Sequence, residues 1–282
     1  MSKQQFSVLI TGCSSGIGRA MALEMAARGH TVFATARKPE TLKELEQHGI
    51  VGLKLDVTDA RSISTAVNQA LESAGRIDVL VNNAGFGLMG PAVELEIGAM
   101  RRQLETNVIG PLALVQAVVP GMIERGLGRI VNVGSVSGVL ATPFSGAYCA
   151  SKAALHALSD SLRMELAPFG VRVITLQPGA VASRFGENAA QQVDLRPDSY
   201  YAKLARFIQE RANVSQSEAM PAEQFAAKVA DAIESDDPPA VMVIGGAHTS
   251  LPLVKRLMPL ALIDRMLSRR FGLNLLRPPR KE

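Results

Sequence analysis

The sequence predicts an α/β protein built on a doubly wound parallel sheet of about seven strands, with helices on both faces. Three observations carry this expectation. Short apolar runs alternate with longer amphipathic stretches from the start of the chain. Those runs are rich in Val and Ile and apolar on both faces, as buried parallel strands are. A glycine-rich turn stands between the first run and the first amphipathic stretch.

Taken in order, the predicted strands are residues 6–10, 31–36, 51–55, 77–81, 129–133 and 171–177, with a seventh at 240–244. The predicted helices are 16–28, 39–47, 60–74, 97–125 and 147–168. Strand–helix alternation with right-handed crossovers puts the helices on both faces of the sheet. Two segments leave this rhythm. Residues 183–220 form a polar insertion with a helical piece near 200–211, placed where substrate loops and lids occur. Residues 251–282 form a basic extension. The domain reading is therefore one catalytic domain over 1–250, with 183–220 as its lid, and an extension over 251–282.

Charge distribution narrows the function. The net charge is +4, but the extension alone carries +6 and the body −2. The body has no basic patch interleaved with aromatics, so nucleic-acid binding is not expected. Four histidines lack ligand spacing, and no metal site is expected. Two cysteines, Cys13 and Cys149, suit a reducing compartment and a cytoplasmic location. No three-part signal peptide and no apolar run approaching about 20 residues is expected. In the extension, Leu260, Ile263, Leu267 and Phe271 make an apolar stripe, with Arg265, Arg269 and Arg270 on other faces. Such a helix either lies on an anionic membrane surface or docks on its own domain. Pro252 and Pro259 exclude one long helix there.

Tyr148 and Lys152 stand four residues apart in Gly146-Ala-Tyr-Cys-Ala-Ser-Lys, on one face of a predicted helix. An ammonium favours the phenolate, so the pair predicts a tyrosine pKa drawn down from its free value of about 10. The spacing alone also suits a surface cation–π pair. The turn Thr11-Gly-Cys-Ser-Ser-Gly-Ile-Gly18 opens a helix whose free N–H groups and dipole suit a pyrophosphate. The second strand ends in Arg37-Lys38, with no acid there to bond a ribose 2′-hydroxyl. A 2′-phosphate would find a partner in Arg37, so NADP(H) is expected over NAD(H).

These residues resemble the short-chain dehydrogenase/reductase family, strongly over residues 5–185. The motifs occur in order: Thr11-Gly12-x-x-x-Gly16-x-Gly18, Asp56, Asn82-Asn83-Ala84-Gly85, Asn107, Ser135, Tyr148-x-x-x-Lys152 and Pro178-Gly179. The resemblance implies a Rossmann fold and a homodimer or homotetramer. It implies a catalytic set of Asn107, Ser135, Tyr148 and Lys152. Ser135 would bond the substrate carbonyl and Tyr148 would exchange the proton. Lys152 would hold the nicotinamide ribose, and Asn107 a water that links Lys152 to solvent. The cofactor would lie on Gly12, Ser14, Ser15, Gly16, Ile17, Gly18, Arg37, Asp56, Val57, Asn83, Ala84 and Gly85. Pro178, Gly179, Val181 and Ser183 would contact the nicotinamide, Ser183 standing where the family often has Thr.

In detail the chain is similar to the branch with 17β-hydroxysteroid, retinol and acyl-dihydroxyacetone-phosphate oxidoreductases. This implies an apolar or lipid-like carbonyl or alcohol as substrate, which the apolar segments after Asn83 and Ser135 also suit. A 3-oxoacyl-carrier-protein or small-carbonyl reductase would use the same residues. A non-catalytic NADP-binding regulator stands further off, because all four catalytic positions are filled.

Overall fold

The computed structural model describes residues 4–277 apart from 192, 194, 197, 215–217 and 248. The last five residues of the extension, with Arg280 and Lys281, lie outside the described residues, as do Asp194 and Pro197 of the insertion.

The strands are β1 (Ser7–Ile10), β2 (Thr31–Ala36), β3 (Val51–Lys54), β4 (Val79–Asn82), β5 (Gly128–Val133), β6 (Val171–Pro178) and β7 (Val241–Ile244). They form one parallel sheet in the order β3-β2-β1-β4-β5-β6-β7. Strand order reverses between β1 and β4, and the carboxyl ends of those two strands flank the crevice where ligands bind in such sheets. β1, β4 and β5 are buried throughout, which is why their sequences are apolar on both faces.

On one face lie α1 (Gly16–Ala27) and α9 (Ala222–Glu234). Met21 and Met25 of α1 share a core with Val8, Val32, Phe225, Val229 and Ile233. The other face carries α3 (Ala60–Ala74), α5 (Gly110–Arg125) and α6 (Gly146–Leu166). There Ile63, Val67, Leu114, Val118 and Met122 pack with Leu9, Leu80 and Ile130. Short helices α2 (Lys43–Glu46), α4 (Ile97–Leu104), α7 (Phe185–Gln191), α8 (Ala205–Asn213), α10 (Leu251–Leu257) and α11 (Leu260–Arg270) complete the chain.

Three elements differ from the sequence expectation. The stretch 39–47 holds a 3-10 turn, Pro39–Leu42, and the single turn α2, because only Leu42 and Leu45 find the core. The stretch 97–125 is interrupted by a π turn at Glu105–Ile109, where Gly110 N–H reaches the Glu105 carbonyl. Helix α9 was not foreseen, although Phe225, Ala226, Val229, Ala230 and Ile233 recur at helical steps.

Length and apolarity also need correction. The helical stretch Ile97–Arg125, π turn included, has 29 residues and a mean hydropathy of 1.5 in its most apolar part. By length and composition alone it could cross a membrane, contrary to expectation. Part of its apolar surface is spent on the sheet, where Leu114, Val115, Val118 and Met122 are buried, while Ile109 is exposed.

The insertion and the extension meet each other. Leu204 and Ile208 of the insertion pack with Ile263, Leu267 and Phe271 of the extension, and with Leu140 and Phe144 of the loop after β5. Of the expected apolar stripe, Ile263, Leu267 and Phe271 therefore cover the chain's own domain, while Leu260 is 71% exposed. Pro252 falls in the first turn of α10 and Pro259 caps α11, so each proline sits at a helix start where its missing N–H is harmless.

Candidate active site

A cavity of about 1370 Å³ runs along the carboxyl ends of the central strands. One end is the turn from β1 into α1, and the other is walled by α7, α8 and α11. Gly12, Ser14, Ser15, Gly16, Ile17, Arg37, Asp56, Val57, Asn83, Ala84 and Gly85 line it, as do Ser135, Tyr148, Lys152, Pro178, Gly179, Val181 and Ser183. Of the expected site residues, Gly18 and Asn107 stand behind the wall and support it.

The glycine turn is shaped by contact. Gly12 has φ +74°, and a Cβ there would come within 2.9 Å of the Ala84 backbone. A Cβ on Gly18 would collide with the Asn83 amide and the Gly12 carbonyl. α1 can thus begin directly beneath the turn, its N-terminus aimed into the cavity. The Asn83 amide donates to the carbonyl oxygens of Thr11 at 2.8 Å and Gly12 at 3.2 Å. Thr11 Oγ1 accepts the N–H groups of Asn83 and Ala84, each at 2.9 Å. The ends of β1 and β4 are thereby locked together. A backbone cradle of this shape fits the pyrophosphate of a dinucleotide, and the cavity is large enough for a dinucleotide and a substrate together.

Farther along, Arg37 is exposed at the end of β2, beside Asp56. Burial works to raise the Asp56 pKa, but hydrogen bonds from Thr58 N–H and Oγ1, at 3.0 and 2.8 Å, and the charge of Arg37 bring it below the ordinary carboxylate value.

The π turn places Asn107. Its Oδ1 accepts Phe86 N–H at 3.2 Å, and its Nδ2 donates to the Phe86 carbonyl at 3.0 Å and to Ser151 Oγ at 3.1 Å. Pro111 has no N–H to give the Asn107 carbonyl in the helical pattern. Gly85 is pressed by both Asn107 and Lys152: a Cβ there would lie 3.0 Å from Oδ1 and 3.7 Å from Nζ.

Tyr148 and Lys152 occupy one face of α6, and both are buried. Lys152 Nζ donates to the Val133 carbonyl at 2.7 Å and lies 5.9 Å from the centre of the Tyr148 ring. Burial brings the Lys152 pKa down to about 8. The Tyr148 hydroxyl is pushed up to about 12, chiefly by burial, against an opposing hydrogen bond from Ser135. This reverses the expected direction. Both side chains are buried, so desolvation dominates, and Lys152 Nζ is bonded to the Val133 carbonyl. Tyr148 is therefore a protonated phenol at neutral pH.

Two residues of this region were not singled out from sequence. His156, one helical turn beyond Lys152, accepts the Ser135 N–H on Nε2 at 3.3 Å. Burial, with Lys152 nearby, takes its pKa down to about 4, so it is a neutral acceptor. Gly134 and Gly138 leave room for its ring. Its spacing from Lys152 was the available signal. Arg211 of α8 is buried in the cavity wall, and in the sequence it is one of many charges in a polar insertion.

The chain is similar to known proteins over most of its length. The family model for a short chain dehydrogenase matches residues 7–194. The uncharacterized oxidoreductase YbbO of Escherichia coli (strain K12) is 35% identical over 264 residues, spanning 93% of this chain and 94% of its own. The 17-beta-hydroxysteroid dehydrogenase type 1 of Homo sapiens is 41% identical over 192 residues, 64% of this chain and 58% of that protein. Among solved structures, a short-chain dehydrogenase from Streptomyces avermitilis superposes with a TM-score of 0.81 at 34% identity, covering 98% of this chain and 99% of its own. An alcohol dehydrogenase from Thermococcus sibiricus, complexed with 5-hydroxy-NADP, gives 0.70 at 25% identity, over 86% and 96%. A short-chain dehydrogenase/reductase from Burkholderia phymatum in complex with NAD gives 0.77 at 25%, over 100% and 99%. This chain is an oxidoreductase and belongs to the short-chain dehydrogenase family.

Proposed function

We propose that the protein is an NADP(H)-dependent reductase that converts a carbonyl to an alcohol on a substrate with a substantial apolar part. The reading is carried by one convergence. Ser135, Tyr148 and Lys152 meet on the wall of a cavity that also takes in the glycine turn, Arg37 and Asp56.

When bound, the nicotinamide would supply the hydride. Tyr148 gives its hydroxyl proton to the carbonyl oxygen, which gains negative charge as its carbon is reduced. Ser135 donates a hydrogen bond to the same oxygen, and the Lys152 charge compensates the phenolate left behind. Lys152 would also hold the nicotinamide ribose. Asn107, with its carbonyl relieved of the Pro111 donor, holds a water through which the proton returns to Lys152 and Tyr148. The protonated phenol is the form that reduction consumes and the phenolate the form that oxidation consumes, so these residues serve both directions; the NADP(H) preference is what supports reduction. Arg37 at the end of β2 supports the 2′-phosphate over a 2′-hydroxyl. Phe185, Leu251, Met266, Leu267 and Phe271 give the substrate end an apolar wall.

Finer assignments follow the same reading. Buried free thiols at Cys13 and Cys149 suit a cytoplasmic location. Exposed Val241 and Val243 on edge strand β7 support a homodimer or homotetramer. Exposed Leu253, Leu257 and Leu260 beside Lys255 and Arg256 support peripheral contact with an anionic membrane.

The test is a screen of NADPH oxidation over ketones and aldehydes of graded apolarity, with Tyr148→Phe alongside. The parent is expected to reduce the longer-chain members. Tyr148→Phe should lose at least about a hundredfold in turnover while binding NADPH normally. Comparable turnover by Tyr148→Phe would remove it as the proton donor.

A further inference from the structure

The cavity wall contains a positive charge for which the reduction itself has no use. Arg211 is 5% exposed and lines the cavity with Tyr148, Ser137, Thr142 and Arg270. Its Nε donates to Thr142 Oγ1 at 2.6 Å, its Nη2 reaches Ser137 Oγ at 3.5 Å, and the Cys149 sulfur is a further hydrogen-bond partner. None of these partners is a carboxylate. No acidic side chain among the described residues forms an ion pair with it, whereas the better-exposed Arg28 has Glu24, Asp231 and Glu234.

A guanidinium stays charged at any ordinary pH, and burying one without an acidic partner is expensive. Burial here disfavours its charged form, Cys149 and Tyr148 act the other way, and the nearby Arg270 adds repulsion. Hydroxyls and a thiol offset only part of that cost. A ligand anion would offset the rest, in the bidentate geometry a guanidinium offers. Arg211 is also close enough for its charge to act on Tyr148, so an anion held there would sit near the reacting carbonyl. The same cavity is also lined by the apolar side chains of Ala212, Leu251, Met266, Leu267 and Phe271, with Arg270 among them.

We propose that the substrate is an oxo acid with an apolar chain, its carboxylate held by Arg211, its carbonyl oxygen at Tyr148 and its chain along α11. One negative charge matches one buried guanidinium. The inference rests on the reductase reading and sharpens its substrate class: the apolar substrate expected from sequence gains a charged head. That was hidden because Arg211 is 63 residues from Tyr148 in the chain and reaches the cavity only when α8 packs across it.

The test compares NADPH oxidation on matched pairs, medium-chain oxo acids against their methyl esters, for the parent, Arg211→Gln and Arg211→Lys. The parent should favour the acid in kcat/KM by at least about tenfold, carried mainly by KM. Arg211→Gln should bring the acid-to-ester ratio to near one, and Arg211→Lys should restore part of the preference by keeping the charge. NADPH affinity reports whether each variant is folded. Equal use of acid and ester by the parent, or the same drop on both substrates in Gln and Lys variants, would overturn the proposal while leaving the reductase reading intact. Absence of turnover on every acid and ester would overturn this proposal alone; the reductase reading falls only if the ketones and aldehydes of graded apolarity are left unreduced as well.

Discussion

The backbone N–H of Ser135 donates to Nε2 of His156 at 3.3 Å, tying the loop that carries one member of the candidate active site to the helix that carries two others. The bond exists only while Nε2 is unprotonated. Ser135 itself has an extended backbone, and its hydroxyl accepts Ser137 N–H at 3.1 Å. The orientation of this loop therefore depends on a neutral imidazole.

His156 should leave a signature in stability against pH. Its folded pKa, about 4, is below the ordinary 6.5. The unfolded chain therefore binds the proton first as pH falls, and the contribution of His156 is complete above about 6.5 and declines toward 4. Urea unfolding midpoints should fall over that window. His156→Gln, which keeps an acceptor and does not titrate, should flatten the decline. An unchanged pH slope in the variant would exclude His156 as its source.

Lys152 should govern the alkaline side of the rate profile. Its pKa of about 8 means that the positive charge opposite the forming phenolate disappears above that pH. Reduction measured as kcat/KM should be level below about pH 8 and fall tenfold per unit above it. The Tyr148 hydroxyl, at about 12, would set a limb well beyond it. A profile that stays level to pH 10 would show that the Lys152 charge is not required.

Arg37 should decide between the two dinucleotides. Replacing it with Asp removes the exposed guanidinium at the end of β2 and adds a negative charge beside Asp56. The preference for NADPH over NADH should fall by at least about tenfold, and its salt dependence should weaken. Fluorescence titrations of both cofactors at two salt concentrations measure this. Equal affinities in the parent would refute the role given to Arg37.

Gly18→Ala should damage cofactor binding and stability together. Its methyl would strike the Asn83 amide and the Gly12 carbonyl, pushing α1 away from the turn. Overpacking of this kind costs about 1–3 kcal/mol, which for a chain of this size lowers Tm by roughly 2–4 °C per kcal/mol. Thermal unfolding with and without NADPH reads both effects. A variant with parental Tm and affinity would show that the turn has slack.

The sheet was legible because period-two and unbroken apolar runs leave little choice once helices alternate with them, as β1, β4 and β5 illustrate. The glycine turn and the Tyr148–Lys152 pair were legible because each is local, set by spacing within one element. The direction of the Tyr148 pKa was not, since it depends on burial and on where Lys152 points, and both are tertiary. Helix α9 carries its periodicity plainly, but the polar insertion before it draws attention away. Arg211 could not have been found from local pattern, because only its packing distinguishes it from the exposed arginines of the insertion.

The π turn at Glu105–Ile109 has a consequence for how this site tolerates change. It is in effect one surplus residue in a helix, and each residue rotates a helix by roughly 100°. Deleting one residue there would let an unbroken α-helix form with every apolar side chain of α5 still available to the sheet. Asn107 would then swing out of phase with Phe86 and Ser151, although no side chain of the site had changed. The vulnerability of this helix is therefore to a change in residue count, a kind of lesion that a scan of substitutions would never sample.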